Sequence, residues 1–369
     1  MTHSDIRKAK RAVVVAVGDL MMGDSPIAVG YGWRSRYPGR SAAEAIEGLR
    51  PALAGADIVF GNLEVQLARR GLGSTRMARD MMRGDPEYAT LLRAVGFNVL
   101  SVANNHAMQH GKAAFSESVA TMRKAGLDVA GIRGTDGWNA EPVIRTTSTG
   151  LTLGILAYSL RPRQYGRGEP SYASGPASAV LADVERLDAQ VDRVIVSLHW
   201  GEEFASLPSE AEVHFAEQLS EAGVALVIGH HPHVVRPVVR RSKTIIAYSL
   251  GNTISDMIWR REFRRGLVLR CDLGRHTPEA ETLALWTDAQ YRAFPQGHWS
   301  VVIGDQPVPG LTEAAYRKAI GASMRAYRRA ALGHMLRHFW RSPPEVALAL
   351  LSQKLRNTWN RALNRGSDE

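Results

Sequence analysis

Cysteine is almost absent: Cys271 stands alone in 369 residues. A single thiol excludes an internal disulfide framework and any cysteine-rich zinc module, and it fits a reducing compartment. Long apolar runs are missing too. The N-terminal run AVVVAV (12–17) is six residues long before Gly18-Asp19, too short for a signal-peptide core or a membrane span. It reads as a first buried strand, and the expected location is cytoplasmic. There is no low-complexity tract, no strict repeat, and no helix-turn-helix, zinc-finger or RNA-recognition signature, so no specific nucleic-acid binding is expected.

Negative charge is in deficit. The chain carries 46 Lys and Arg against 36 Asp and Glu, a net charge of +10. The excess is concentrated late: residues 311–369 hold eleven basic and four acidic side chains. A basic surface attracts polyanions or anionic lipid. The body, 45% hydrophobic and 22% charged overall, has the composition of a globular protein.

What is present has a rhythm. SAAEAIEGLRPALAGADIVFGNLE, DPEYATLLRAVGFNVLSVANNH and LPSEAEVHFAEQLSEAGVALVIGHHPH each run helix, glycine turn, short apolar strand. Alternating helices and buried strands predict an α/β sheet with much parallel pairing. PVIRTTSTGLTLGILAYSL and PVVRRSKTIIAYSLGN predict hairpins, with turns at 148–150 and 242–243; GLVLRCDL and ETLALWTDAQYRAFP each predict a strand. Hairpins within a βαβ chain suggest a second sheet packed on the first. From about 311 the pattern is helical, basic and amphipathic. The expected organisation is one domain over 1–300 and a basic helical extension over 301–369. That extension suits peripheral contact with an anionic membrane or docking on its own domain, the latter preferred; Leu348, Leu351, Leu355, Trp359 and Leu363 mark its second apolar stripe.

Polar groups collect where the strands end, which is where α/β sheets bind ligands. AVVVAV ends in Gly18-Asp19, DIVF in Gly61-Asn62-Leu63-Glu64, and FNVLSV in Asn104-Asn105-His106. RVIVSL ends in His199-Trp200-Gly201, VALVIG in His230-His231-Pro232-His233, and IIAYSL in Gly251-Asn252. An extended His-x-His would turn both rings to one side. Burying so many imidazoles is costly without partners. Carboxylate, amide and imidazole together suit one or two divalent ions, manganese, zinc or iron, with no thiolate.

In this order GDLMMG, NLE, ANNH, HWG, HPHV and YSLGN resemble the bacterial capsule-synthesis CapA family, within the calcineurin-like metallophosphoesterase superfamily. The resemblance spans roughly 12–300 and implies a four-layer α/β/β/α sandwich. Asp19, Glu64, Asn105, His199, His231 and His233 would then ligate metal, and His106, with Asn105, would act on the leaving group. Asn62, Asn104, Gln109, His230 and Asn252 would support the ligands or face substrate. The chain departs from the pattern at two places. Leu20-Met21 follow Asp19 where the superfamily has Asp-x-His. Gln109 replaces an Asp that would charge-stabilise His106, and His110 is the candidate to stand in for it. The resemblance implies a metal-dependent hydrolase acting on an anionic substrate, a phosphoester or an acidic polymer such as poly-γ-glutamate. The alternative it leaves open is a non-hydrolytic component of a polymer-synthesis or export complex. Arg161, Arg163 and Arg167, and Arg260, Arg261, Arg264 and Arg265, are candidate contacts to such an anion.

Overall fold

The computed structural model describes residues 11–71, 73–166, 169, 171–302, 307–350 and 352. In chain order the strands are β1 (Val13–Leu20), β2 (Ile58–Leu63), β3 (Gln66–Leu67), β4 (Arg83–Gly84), β5 (Val99–Ser101), β6 (Asp128–Ala130), β7 (Val143–Thr146) and β8 (Thr152–Ser159). They continue as β9 (Arg193–His199), β10 (Leu226–His230), β11 (Val238–Arg241), β12 (Thr244–Ala247), β13 (Asn252–Ile254), β14 (Arg265–Asp272), β15 (Glu279–Thr287) and β16 (Ala293–Val301). One sheet runs β16-β15-β14-β1-β2-β5-β6, with β13 also paired to β1; a second runs β11-β12-β10-β9-β8-β7, and β3 pairs with β4 apart from both.

Strand alternation builds the layers. In β1, Val14 and Ala16 face Ile155, Ile195 and Ile228 of the other sheet. Val15 and Val17 face outward, into a core shared with Leu92 and Val95 of helix Tyr88–Val95 and with Phe115, Val119 and Met122 of helix Gly111–Lys124. In β9, Ile195 points inward, while Val194, Val196 and Leu198 pack on Val184 and Leu187 of helix Ala177–Asp188 and on Phe215 and Leu219 of helix Glu210–Glu221. Three apolar layers therefore separate four structural ones, the expected α/β/β/α sandwich. β1, β2, β5 and β6 pair in parallel, as do β12, β10, β9 and β8. Hence their polar carboxyl ends gather at one rim.

Both predicted hairpins form, β7 with β8 and β11 with β12. The stretch 281–295, read as one strand, instead turns back as the hairpin of β15 and β16. Its Asp288 carboxylate accepts the amides of Gln290 and Arg292 at 2.8 and 3.0 Å, and Tyr291 takes a left-handed φ of 63°. Asp at the head of a tight turn was the signal for it.

Helix Glu313–His338 docks on the body. Tyr327 packs on Phe204, Trp259 and Phe263, and His334 packs on Tyr31 and Trp259. Residues 344–350 are helical again, burying Val346 and Leu350 against Val29 and Met335 while Leu348 stays exposed. Leu351, Leu355, Trp359 and Leu363 of the predicted stripe lie outside the described residues. No described helix is long and apolar enough to cross a membrane.

Candidate metal centre

Strand register sets the centre. β1 pairs Asp19 with Asn62 on one side and Asn252 on the other. In the facing sheet His230 lies opposite His199. Asp19, Asn62, Glu64, Asn104, Asn105, His199, His230, His231, His233 and Asn252 are all buried.

The rings of His231 and His233 converge, with centroids 5.9 Å apart. They do so by a different geometry from the extended segment expected. Both residues hold left-handed backbone, φ 95° and 57°, either side of Pro232. Such conformations are costly for residues with a Cβ, and they persist where a site imposes them. The His231 amide donates to Asp19 Oδ2 at 3.3 Å, which ties the turn to the first strand.

Polar neighbours orient most of the ligand-type groups. Asn62 donates to Asp19 Oδ1 at 2.9 Å and lies 3.3 Å from His199 Nδ1. His199 Nε2 bonds Asn105 Oδ1 at 2.8 Å, and Asn105 donates to Gln164 at 3.1 Å. Asn104 donates to Leu63 O at 2.9 Å and accepts the His106 amide at 3.1 Å. His233 Nδ1 donates to Asn252 Oδ1 at 3.0 Å, which leaves Nε2 turned toward Glu64 Oε1, 3.8 Å away. His199 Nε2 and His106 Nε2 approach the same oxygen to 3.5 and 4.0 Å.

Other groups have no hydrogen-bond partner. Both Glu64 oxygens, both His230 nitrogens and both His231 nitrogens are buried and unsatisfied, although His230 Nδ1 lies 3.2 Å from Asp19 Oδ1. Buried polar atoms are nearly always bonded, so each exception needs a reason. A shared cation supplies one. Three overlapping sets bring their ligand atoms within 4.8 Å of one another: Glu64, His199 and His231; Asp19, Glu64 and His233; and Glu203, His231 and His233. The donor chemistry and the orphaned atoms fit a divalent ion.

The electrostatics agree. Burial would raise the Asp19 carboxyl, but the close imidazoles of His230 and His233 hold it well below the usual range. Burial holds Glu64 well above its usual range; the His233 charge opposes this and that of Asp19 reinforces it. Burial also keeps His199 and His231 well below normal, hence neutral, the form that ligates metal. His233 is the exception. Burial lowers it, but Glu64 and Asp19 raise it to about 10, and a cation taking the place of that proton would meet the same two carboxylates.

Around the cluster, His106 Nδ1 donates to Gln109 Oε1 at 2.6 Å. Burial takes His106 down to about 4, with Gln109 only partly opposing it. His110 does not stand in for a missing carboxylate: its Nε2 bonds Met81 O at 2.9 Å, and its charge lowers His106 where a carboxylate would raise it. Arg161 bonds Gly201 O and, at 2.6 Å, Glu202, at the cluster's edge. Arg163 is exposed. Arg264 is not brought to the cluster; it donates to Thr287 O at 2.8 Å and lies over the Trp286 ring. Arg260 pairs with Glu262 and lies over the Phe263 ring. Arg167 lies outside the described residues. Glu203, absent from the expected set, follows His199-Trp200-Gly201 within the same loop.

The family model for bacterial capsule synthesis protein PGA_cap matches residues 13–257. The PGA biosynthesis protein CapA of Bacillus subtilis is 26% identical over 260 residues, 68% of this chain and 65% of that protein. The capsule biosynthesis protein CapA of Bacillus anthracis is 26% identical over 278 residues, 71% of this chain and 64% of that one. The chain thus spans just under two thirds of either relative's length. Among solved structures, a 5'-nucleotidase from Candida albicans aligns with a TM-score of 0.43 at 12% identity, covering 87% of this chain and 58% of that one. A calcineurin-like phosphoesterase from Bacillus subtilis aligns with a TM-score of 0.38 at 10% identity, covering 88% and 98%.

Proposed function

Since the chain belongs to the bacterial capsule synthesis protein family, we propose that its buried carboxylate–imidazole cluster is a divalent metal centre that hydrolyses an anionic substrate. That substrate is a phosphoester or an acidic polymer of the poly-γ-glutamate kind. One observation carries the reading: Glu64 is buried with both oxygens unsatisfied, while three imidazole nitrogens stand within 4.0 Å of Oε1.

Asp19, Glu64, Asn105, His199, His231 and His233 would hold the metal. A bound divalent ion supplies Lewis acidity, polarising the scissile group and acidifying water. The remaining chemistry belongs to side chains. Asn62 and Asn252 fix the imidazole orientations, as supporting partners of metal ligands do. With Nδ1–H given to Gln109, neutral His106 turns Nε2 toward the cluster. It must take up a proton there before it can give one to a leaving group. Arg161 borders the cluster with a guanidinium suited to carboxylate or phosphate.

Turnover of generic phosphodiesters and monoesters with added manganese is the test, set beside metal analysis of the purified protein. Activity is expected in the wild type and its loss in an Asp19→Ala, His231→Ala double variant. Equal turnover in both would refute the hydrolytic reading. The neutral His106 and its Gln109 partner favour one second reading, a component of capsule-polymer assembly that keeps the metal without hydrolysis. Bound metal with no turnover, together with salt-dependent retention of poly-γ-glutamate, is its expected signature.

A further inference from the structure

Glu203 belongs to none of the strand ends, yet its carboxylate joins His231 and His233 within 4.8 Å. It lies in the loop after β9, and the next residue reveals how that loop is held. Phe204 has left-handed backbone, φ 66°, a conformation that a bulky residue keeps only when its surroundings impose it. They do so here. The Phe204 amide donates to Pro232 O at 2.8 Å, inside the His231–His233 turn. Its ring lies 6.3 Å from that of His233 and stacks at 4.5 Å on Tyr327 of helix Glu313–His338.

The same helix fastens the loop a second time. The Glu202 amide donates to the Tyr316 hydroxyl at 2.9 Å. Arg236 donates to that hydroxyl at 3.2 Å, to Ala205 O at 2.8 Å and to Glu212 at 2.6 Å. Both neighbours of Glu203 are therefore tied to the helix, Glu202 through Tyr316 and Phe204 through Tyr327.

We propose that Glu203 is a cation ligand held in place by the C-terminal helix, so that this helix forms a wall of the metal centre. The inference rests on the metal reading of the cluster and adds a ligand and its support. With His231 and His233, Glu203 makes the carboxylate–imidazole triad that divalent transition ions favour. Tyr316 and Tyr327 act through the loop and are positioning residues.

Manganese binding to the metal-stripped full chain tests this, by calorimetry for affinity and stoichiometry and by manganese EPR for the ligand environment. Glu203→Gln and Tyr327→Ala are each expected to weaken one cation position by about 10- to 100-fold. Tyr327→Phe keeps the stack and should bind as the wild type does. Thermal melts of the metal-stripped forms separate positioning from general loosening, since Glu203→Gln should melt with the wild type. Tyr316→Phe removes the hydroxyl that accepts from Glu202 and Arg236 and leaves the ring, and it should weaken the same position even where Tyr327→Ala does not fold. Unchanged manganese binding in Glu203→Gln overturns the ligand assignment. Unchanged binding in a folded Tyr327→Ala, or in Tyr316→Phe should Tyr327→Ala not fold, overturns the positioning. A wild type that takes up neither manganese nor zinc overturns the metal reading itself, and this inference with it.

Discussion

Glu64 makes a buried position that is costly without a cation beside it. A carboxylate with no donor on either oxygen loses hydration and gains nothing direct in return. Glu64→Gln removes the charge and a ligand together. Its expected phenotype is metal content at background, with a metal-free melting temperature no lower than the parent's. Chelation should lower the parent's melting temperature and leave the variant's unmoved; a parent indifferent to chelator would contradict this. Gln109→Glu supplies the isosteric carboxylate that His106 lacks. A charged partner should raise His106 from about 4 by about 1 to 3 units, which imidazole NMR titration reads directly. Most of the ligand-type residues were legible in the sequence because each interrupts an apolar strand at its end. Glu203 was not, because it lies in a loop with no periodicity, and only Phe204's packing brings it inward. Arg264 misled for the opposite reason: a dense arginine run states a charge but not a direction, and Trp286 and Thr287 O claim this one.

At the scale of elements, β1 delivers Asp19 only because Gly18 lets another segment close. A Cβ at Gly18 would stand 1.9 Å from Gly251 O, beside the bond from the Asp19 amide to that same oxygen at 2.9 Å. Gly18→Ala should destabilise the protein by about 1 to 3 kcal/mol and weaken metal binding, measured by denaturant unfolding and calorimetry. A second element is pinned by Asp256, whose Oδ2 accepts the amides of Ser25 and Trp33 at 2.9 and 3.3 Å. Burial, then the charge of Asp24, pushes Asp256 from 3.8 to about 7. The folded state therefore keeps a proton that the unfolded state has released. The associated stability is full below about pH 3.8 and is lost as pH rises through about 7. The loss is of the order of 4 kcal/mol at most. Asp256→Asn should flatten that decline between pH 3.8 and about 7 in denaturant titrations, and an unaltered slope would count against it. The strand and helix rhythm was readable because buried parallel strands are apolar on both faces. The β15–β16 hairpin was not, because its turn carries no glycine and rests on one aspartate.

At the scale of the whole molecule, the sequence showed the basic extension as charge, whereas its docking is aromatic. Tyr316, Tyr327 and His334 face the body, while Arg317, Lys318, Arg325, Arg328, Arg329, Arg337 and Arg341 stay exposed. Leu336 and Trp340, 61% and 76% exposed, lie among the last of these. Cationic side chains around exposed apolar ones suit the surface of an anionic bilayer, where charge draws the helix in and apolar groups seat it. A free acidic polymer needs the charge alone. A bilayer and a polymer would therefore respond differently to the same substitutions. Anionic vesicles should sediment the protein at low salt and release it at high salt, and Leu336→Ala with Trp340→Ala should weaken that binding several-fold. Retention of poly-γ-glutamate should fall with salt in the same way and be unchanged by those two substitutions. Equal sedimentation with uncharged vesicles, or loss of polymer retention in the double variant, would assign this face to apolar docking instead of charge.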